Sequence, residues 1–249
     1  MSVQSSVQQM DAGGEPPICV AITGASGALG QALLRAWHQR GTRLIALTSS
    51  NQPLEVRDSD GQVIPLQQLS WRVGAERELA SALEPVDVLV LNHGVNVHGR
   101  RDAGATELSL DVNALSSWRL LELFAELSSR RPSSRPKPEV WVNTSEAEIE
   151  PAFSPLYEIS KRLMGQLLSL RALDLAPTLR IRRLVLGPFR SALNPVGLMG
   201  AEFVAGQILL QARLGLNLII VTPNPLVYAV MPLTTLARWL YFRLLTRAS

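Results

Sequence analysis

The chain contains a single cysteine, Cys19, so no disulfide can form within it and its fold must rest on its core. Cys19 stands in the apolar run Ile18-Cys19-Val20-Ala21-Ile22 and reads as core packing, not as a nucleophile. Histidines number only three and show no metal-ligand spacing with one another or with Cys19, which argues against a metal site. A strong excess of one charge is also missing. The net charge of +3 gives no ground for a nucleic-acid partner. Nor is there a long unbroken apolar run: Leu216 to Leu233 is interrupted by Pro223, Pro225 and Pro232 and reads as a poor membrane-spanning helix. Residues 1–17 lack the apolar centre of a signal peptide and read as a disordered leader. The expectation is a cytoplasmic protein, soluble or peripheral to a membrane.

What is present is apolar sequence in a regular alternation. Hydrophobic residues make up 47% of the 249, enough for one sizeable core. Ile18 to Thr23 reads as a buried strand that runs into the turn Thr23-Gly24-Ala25-Ser26-Gly27-Ala28-Leu29-Gly30. Ala28 to Arg40 follows as a helix stopped by Gly41, and Arg43 to Leu47 as a second strand. Leu54–Val56 and Gln62–Ile64 flank Asp58-Ser59-Asp60-Gly61 as a hairpin. Further strands are expected at 66–73, 86–92, 140–143, 180–186 and 218–221. Helices are expected at 75–83, 108–130, 155–173, 202–214 and 232–247. This order predicts an α/β fold of Rossmann type: a doubly wound, mainly parallel sheet with helices on both faces, forming one domain over 18–249.

The glycine turn follows a strand and opens a helix, the setting in which a dinucleotide pyrophosphate lies on a helix N-terminus. Gly24, Ser26, Gly27, Ala28, Leu29 and Gly30 are the candidate phosphate contacts. The end of the second strand offers Thr48-Ser49-Ser50-Asn51 where a carboxylate would select NAD through the ribose diol. Thr48, Ser49 and Ser50 therefore favour NADP, with NAD as the other form. Arg43 and Arg57 are the nearest arginines in sequence.

Tyr157 and Lys161 lie four positions apart and share one helix face. A lysine ammonium near a phenol favours the phenolate, making Tyr157 a proton donor and acceptor near neutral pH. Together with the glycine turn, Asn92-His93-Gly94, Asn113, Asn143-Thr144-Ser145 and Gly187-Pro188, this pair resembles the short-chain dehydrogenase/reductases, from about Ile18 to Pro195. The resemblance implies that Tyr157 exchanges a proton with the substrate oxygen and that Lys161 tunes it and bonds the nicotinamide ribose. It gives Ser145 the orienting role, Asn113 a bound water, and cofactor contacts to Asn92, Gly94, Pro188 and Ser191. Ser145 precedes Tyr157 by twelve positions and Thr144 by thirteen, the family's usual gap; strand-end context favours Ser145. Asn113 could instead start a helix.

The glycine spacing is that of the longer, epimerase-like branch, yet little sequence follows Lys161, which favours the compact dehydrogenase form. More loosely, 140–161 and the tail after Asn194 resemble reductase-like proteins found beside sterol-desaturase or fatty-acid-hydroxylase modules. The leading expectation is an NAD(P)-dependent oxidoreductase that interconverts an apolar or lipid-like alcohol and its ketone or aldehyde. An NAD-dependent epimerase or dehydratase and a non-catalytic nucleotide-binding module are the alternatives. Phe189, Leu193, Val196, Leu198 and Met199 are either a substrate pocket or core packing. The last helix, with Trp239, Tyr241, Phe242 and interspersed arginines, and the basic loop at Arg130 to Lys137 fit a membrane surface. The rival for that helix is a subunit interface in a homo-oligomer, or the core.

Overall fold

The computed structural model describes residues 17–132 and 135–246. The expected leader, but for Pro17, lies outside them, as do Ser133 and Ser134 of the basic loop and Arg247. Seven parallel strands form one sheet: β1 (Cys19–Thr23), β2 (Arg43–Thr48), β3 (Gln67–Ser70), β4 (Val88–Leu91), β5 (Glu139–Ser145), β6 (Arg180–Leu186) and β7 (Leu218–Val221). Their order across the sheet is β3-β2-β1-β4-β5-β6-β7. The order reverses between β1 and β4, which is the switch point where α/β sheets of this kind open a cleft at the carboxyl edge. The expected doubly wound fold is thus present.

Helices cover both faces because every crossover between parallel strands must pass over one of them. On one face α1 (Ala28–His38) and α6 (Ala201–Arg213) pack on Ile22, Ala46, Val90 and Leu184. On the other, α4 (Ser116–Ser129) and α5 (Pro155–Leu175) cover Ala21, Ile45, Leu89 and Val142. β1 is buried at all five residues, which accounts for its continuous apolar run and leaves Cys19 a packing residue.

Several boundaries depart from the sequence reading, each for a local reason. The expected hairpin at 54–64 reduces to one antiparallel bridge, Arg57 to Val63, because Asp58 turns the chain on its own carboxylate. The helix expected at 75–83 divides into a 3₁₀ turn (Glu76–Leu79) and a short α2 (Ala80–Leu83). Its start is tightened by buried Glu76, which accepts from the Gly74 N–H and from Arg119. The helix expected from Leu108 begins earlier, as α3 (Ala103–Leu110), because Asp102 caps it by accepting from the Ala105 N–H. A π turn (Asp111–Leu115) then joins α3 to α4. The last helix, α7 (Pro225–Leu245), starts well before Pro232. Asn224 caps it, and Pro225 occupies the first turn, where a missing N–H removes no helical bond. Pro232 sits inside the helix without ending it.

Candidate active site

The carboxyl ends of β1, β4, β5 and β6 bring the site together. Gly24 has φ +61°, and a Cβ there would lie 2.9 Å from the His93 Cα, so only glycine lets the turn after β1 pass the end of β4. A side chain on Gly30 would collide with the Gly24 carbonyl oxygen and with Ala25, so α1 can start this close to the turn only without one. Gly27 is the N-cap of α1 and offers no side-chain acceptor, and the first turn of α1 holds no acidic residue. The leading N–H groups of Ala28, Leu29 and Gly30 are therefore uncapped by side chains, and Ser26 is exposed beside them. This backbone cradle fits an anionic pyrophosphate.

At the ribose end the expected residues divide. Thr48 is buried, and its hydroxyl is spent locally, donating to the Ser50 carbonyl at 2.7 Å and accepting from the Ser50 N–H. Ser49 is exposed, while the Ser50 hydroxyl accepts from the Gln52 N–H. Neither of the two arginines nearest in sequence is free at this end. Arg43 opens β2 at the opposite edge of the sheet, where it reaches the Cys19 sulfur, and Arg57 is held by the Gly61 carbonyl and Glu55. Arg72 is exposed just beyond β3, at this edge. Pairing of Thr48 with Ser70 brings it level with the end of β2, a register the sequence alone did not reveal.

Thr23 organises the floor. Its hydroxyl donates to the Val90 carbonyl and accepts from the N–H groups of Asn92 and His93. His93 lies between Thr23 Oγ1 at 2.8 Å and Ser116 Oγ at 3.2 Å, with Trp71 edge-on at 5.1 Å. Burial, helped by the nearby Lys161 charge, pushes its pKa down to about 4, so the ring is neutral and packed. Asn92 accepts from Asn143 Nδ2 at 2.9 Å, joining β4 to β5. Gly94 gives clearance for Asn113, whose amide accepts from the Val95 N–H at 2.8 Å and donates to the Val95 carbonyl at 3.0 Å. Asn113 also donates to Ser160 Oγ. It belongs to the π turn in mid-helix, so the helix-start reading is replaced by that of a buried brace.

Ser145 ends β5 beside the Tyr157 phenol of α5, and its hydroxyl accepts from the Ala147 N–H at 3.2 Å. The Thr144 hydroxyl is spent on the backbone, donating to the Leu184 carbonyl at 3.2 Å. Lys161 Nζ donates to the Asn143 carbonyl at 3.0 Å and lies 5.5 Å from the Tyr157 ring centre. Burial pushes Lys161 down to about 8, opposed by the Glu148 charge. The Tyr157 phenol is pushed up, first by burial; the neighbouring Ser145 hydroxyl pulls it down and the Glu146 charge pushes it up again. The expected lowering of the tyrosine pKa by its lysine is therefore corrected for the protein alone: desolvation of a phenolate outweighs a cation whose ammonium is turned to a backbone carbonyl.

After β6, Pro188 accepts from the N–H groups of Leu198 and Met199, and Ser191 pairs with Asn194. Phe189 and Met199 pack on the core, whereas Leu193, Val196 and Leu198 are exposed, so the expected apolar set splits between core and rim. Asn96 reaches the Leu193 carbonyl at 3.4 Å, so the segments after β4 and β6 touch.

The sheet order, the glycine cradle and the tyrosine–lysine helix define a short-chain dehydrogenase-type Rossmann fold. The chain belongs to the NAD dependent epimerase/dehydratase family, whose model matches residues 20–153. It is 46% identical over 230 residues to a monoglucosyldiacylglycerol epimerase from Synechocystis sp., a match that covers 92% of this chain and 55% of the relative. The chain thus spans about half the length of that curated relative. In fold it is similar to a short-chain dehydrogenase from Sphingobium yanoikuyae in complex with NADPH (TM-score 0.72, 16% identity, 93% of this chain and 98% of that one). A short-chain dehydrogenase from Burkholderia cenocepacia in complex with NADP is comparable (TM-score 0.71, 19% identity, 93% and 98% covered). The compact outline expected from the sequence agrees with these folds, but the family is the one its glycine spacing pointed to. These likenesses favour the epimerase alternative over the alcohol–ketone dehydrogenase reading.

Proposed function

We propose that this protein is an NAD(P)-dependent epimerase that inverts one carbinol centre in the sugar headgroup of a glycosyldiacylglycerol. The observation that carries the reading is that Ser145, Tyr157 and Lys161 share the carboxyl edge of the sheet with the glycine cradle, joined to it through Asn143 and Asn92, in a chain 46% identical to a monoglucosyldiacylglycerol epimerase. A bound nicotinamide would supply a reversible hydride acceptor. Tyr157 takes the hydroxyl proton when the carbinol becomes a ketone and returns it when the ketone is reduced from its other face. Ser145 holds the oxygen in both halves, and Lys161 stabilises the phenolate while substrate and dinucleotide exclude water. The N–H groups of Ala28, Leu29 and Gly30 would hold the pyrophosphate. Exposed Ser49 and Arg72 at the ribose end favour NADP.

The outer face of α7 supports a lipid substrate. Leu226, Leu233, Leu236, Leu240 and Leu244 are all exposed along it, whereas Val227 and Met231 are its buried residues. No acidic residue lies in Pro225–Leu245, and Arg243 stacks over Trp239 at 5.0 Å. No helix among the described residues is long and apolar enough to cross a membrane. Asn224, the α7 cap, holds both oxygens of Glu150, in the loop that leads from Ser145 to Tyr157. The apolar helix therefore starts beside the cleft. Such a helix fits an anionic bilayer from which only a headgroup need leave.

The test is incubation of the purified chain with monoglucosyldiacylglycerol in anionic vesicles and a trace of NADP or NAD, followed by identification of the released hexose. The expected result is an epimeric sugar with no accumulation of reduced dinucleotide at 340 nm. A ketone formed with stoichiometric reduced dinucleotide would restore the dehydrogenase reading, and nucleotide binding without either product would leave a binding module. Replacing Leu233 and Leu240 by Glu should abolish vesicle flotation. A dimer that falls apart in this variant, with no flotation of either protein, would assign α7 to a subunit interface instead.

A further inference from the structure

Two carboxylates follow Ser145 within three residues, and they live in different surroundings. Glu148 is buried, with Arg183 and Arg238 both on its Oε2. Glu146 directly follows Ser145, is partly accessible, and has no cationic partner among the described residues. Its Oε2 accepts from the Thr222 hydroxyl beyond β7, and among the described residues no donor reaches Oε1. Gly187 makes that contact feasible: a Cβ there would lie 2.5 Å from Thr222 Oγ1 and 3.0 Å from Glu146 Oε2. The Glu146 charge adds to burial in pushing the Tyr157 phenol up. Burial and Glu150 raise Glu146 itself, against the Thr222 hydrogen bond.

We infer that Glu146, seated on Thr222, is the sugar-recognition residue of the site: its free oxygen accepts hydrogen bonds from hexose hydroxyls next to the reacting carbinol. The inference rests on the proposed sugar substrate and deepens it. An acceptor-only group without a cation is matched by a ligand rich in O–H donors, and a sugar offers several beside any one carbinol. A residue whose role was to staple β5 to β7 would have both oxygens engaged, as Glu150 has with Asn224. A carboxylate aimed at a plain alkyl chain would be left unsatisfied when the cleft closes.

The test uses the Tyr157→Phe protein loaded with NADP, so that nothing turns over. Octyl β-D-glucopyranoside, below its micellar concentration, and octanol are titrated by calorimetry. Glu146→Gln should weaken the glucoside about 10-fold or more, in line with loss of a charged hydrogen bond. Thr222→Val should weaken it less, by letting the carboxylate swing. Octanol binding, NADP affinity and melting temperature should hold. Equal glucoside affinity in Glu146→Gln, absent glucoside binding in the parent, or a parallel loss of octanol, NADP and melting temperature would each overturn the assignment. The epimerase reading fails separately: a parent with intact Tyr157 that binds the glucoside through Glu146 but makes no epimer from the glycolipid would refute that reading alone.

Discussion

The two banks of the cleft are built on different principles. The nucleotide bank, from Gly24 to Gly30, is a shape made of backbone: a positive φ, two close approaches and a row of helix N–H groups. The opposite bank, from Asn143 to Lys161, is a set of side chains whose properties depend on one another: Ser145 on Tyr157, Lys161 on the Asn143 carbonyl, Glu148 on Lys161. A backbone shape fails by distortion, and a coupled set of charges fails by loss of one member. Substitutions on the first bank should thus cost binding and stability together, whereas on the second they should cost turnover with the fold intact.

The largest expected effect tests the second half of that contrast. Tyr157→Phe removes the proposed proton carrier and should lower the proposed epimerisation about 1000-fold, within the usual range for a general acid–base. Dinucleotide affinity, read by fluorescence titration, should stay within about twofold of the parent. Gly30→Ala tests the first half. Its methyl group meets backbone, not a flexible side chain, so unfolding free energy should fall by about 2 kcal/mol in urea titration, with NADP binding weakened in step. A loss of NADP affinity without loss of stability would break the contrast.

The smallest effect is one of pH. His93 has its folded pKa depressed to about 4, so it is held neutral where the unfolded chain takes up a proton. Its contribution is present in full above pH 6.5, its unfolded value, and is lost as pH falls toward 4. Lys161 has the same sign at the alkaline end: depressed to about 8, it penalises the fold while charged, and that penalty lifts as pH rises from 8 toward 10.5. Melting temperature should accordingly drop between pH 6.5 and 4. His93→Gln should flatten the acid slope, and Lys161→Met the alkaline rise.

Much of the first bank was legible in the sequence because glycine has few other reasons to recur at Gly24, Gly27 and Gly30 between a strand and a helix. The parallel sheet was legible from apolar runs such as Cys19–Ile22, buried on both faces. The tyrosine and lysine were legible as a pair, but the direction of the phenol shift was not, since it depends on how deeply α5 sits. The closeness of Arg72 to the end of β2 was not legible because only strand register brings it level with Thr48. Glu146 was missed because its meaning comes from Thr222, distant in sequence and placed by β7. The start of α7 was misjudged because Pro225 was read as a breaker, where a proline after a capping asparagine begins a helix.

The Asn113 amide meets Val95 with both its donor and its acceptor, as one strand meets the next. The loop at 92–95 is therefore stitched to a helix, and the stitch lies where that helix has widened into a π turn. Remodelling this loop would require unwinding its support. New substrate preferences among descendants of this fold should accordingly arise on the opposite shore, in the segment from Pro188 to Gly200 and around Thr222, where sequence can drift without disturbing the braced loop.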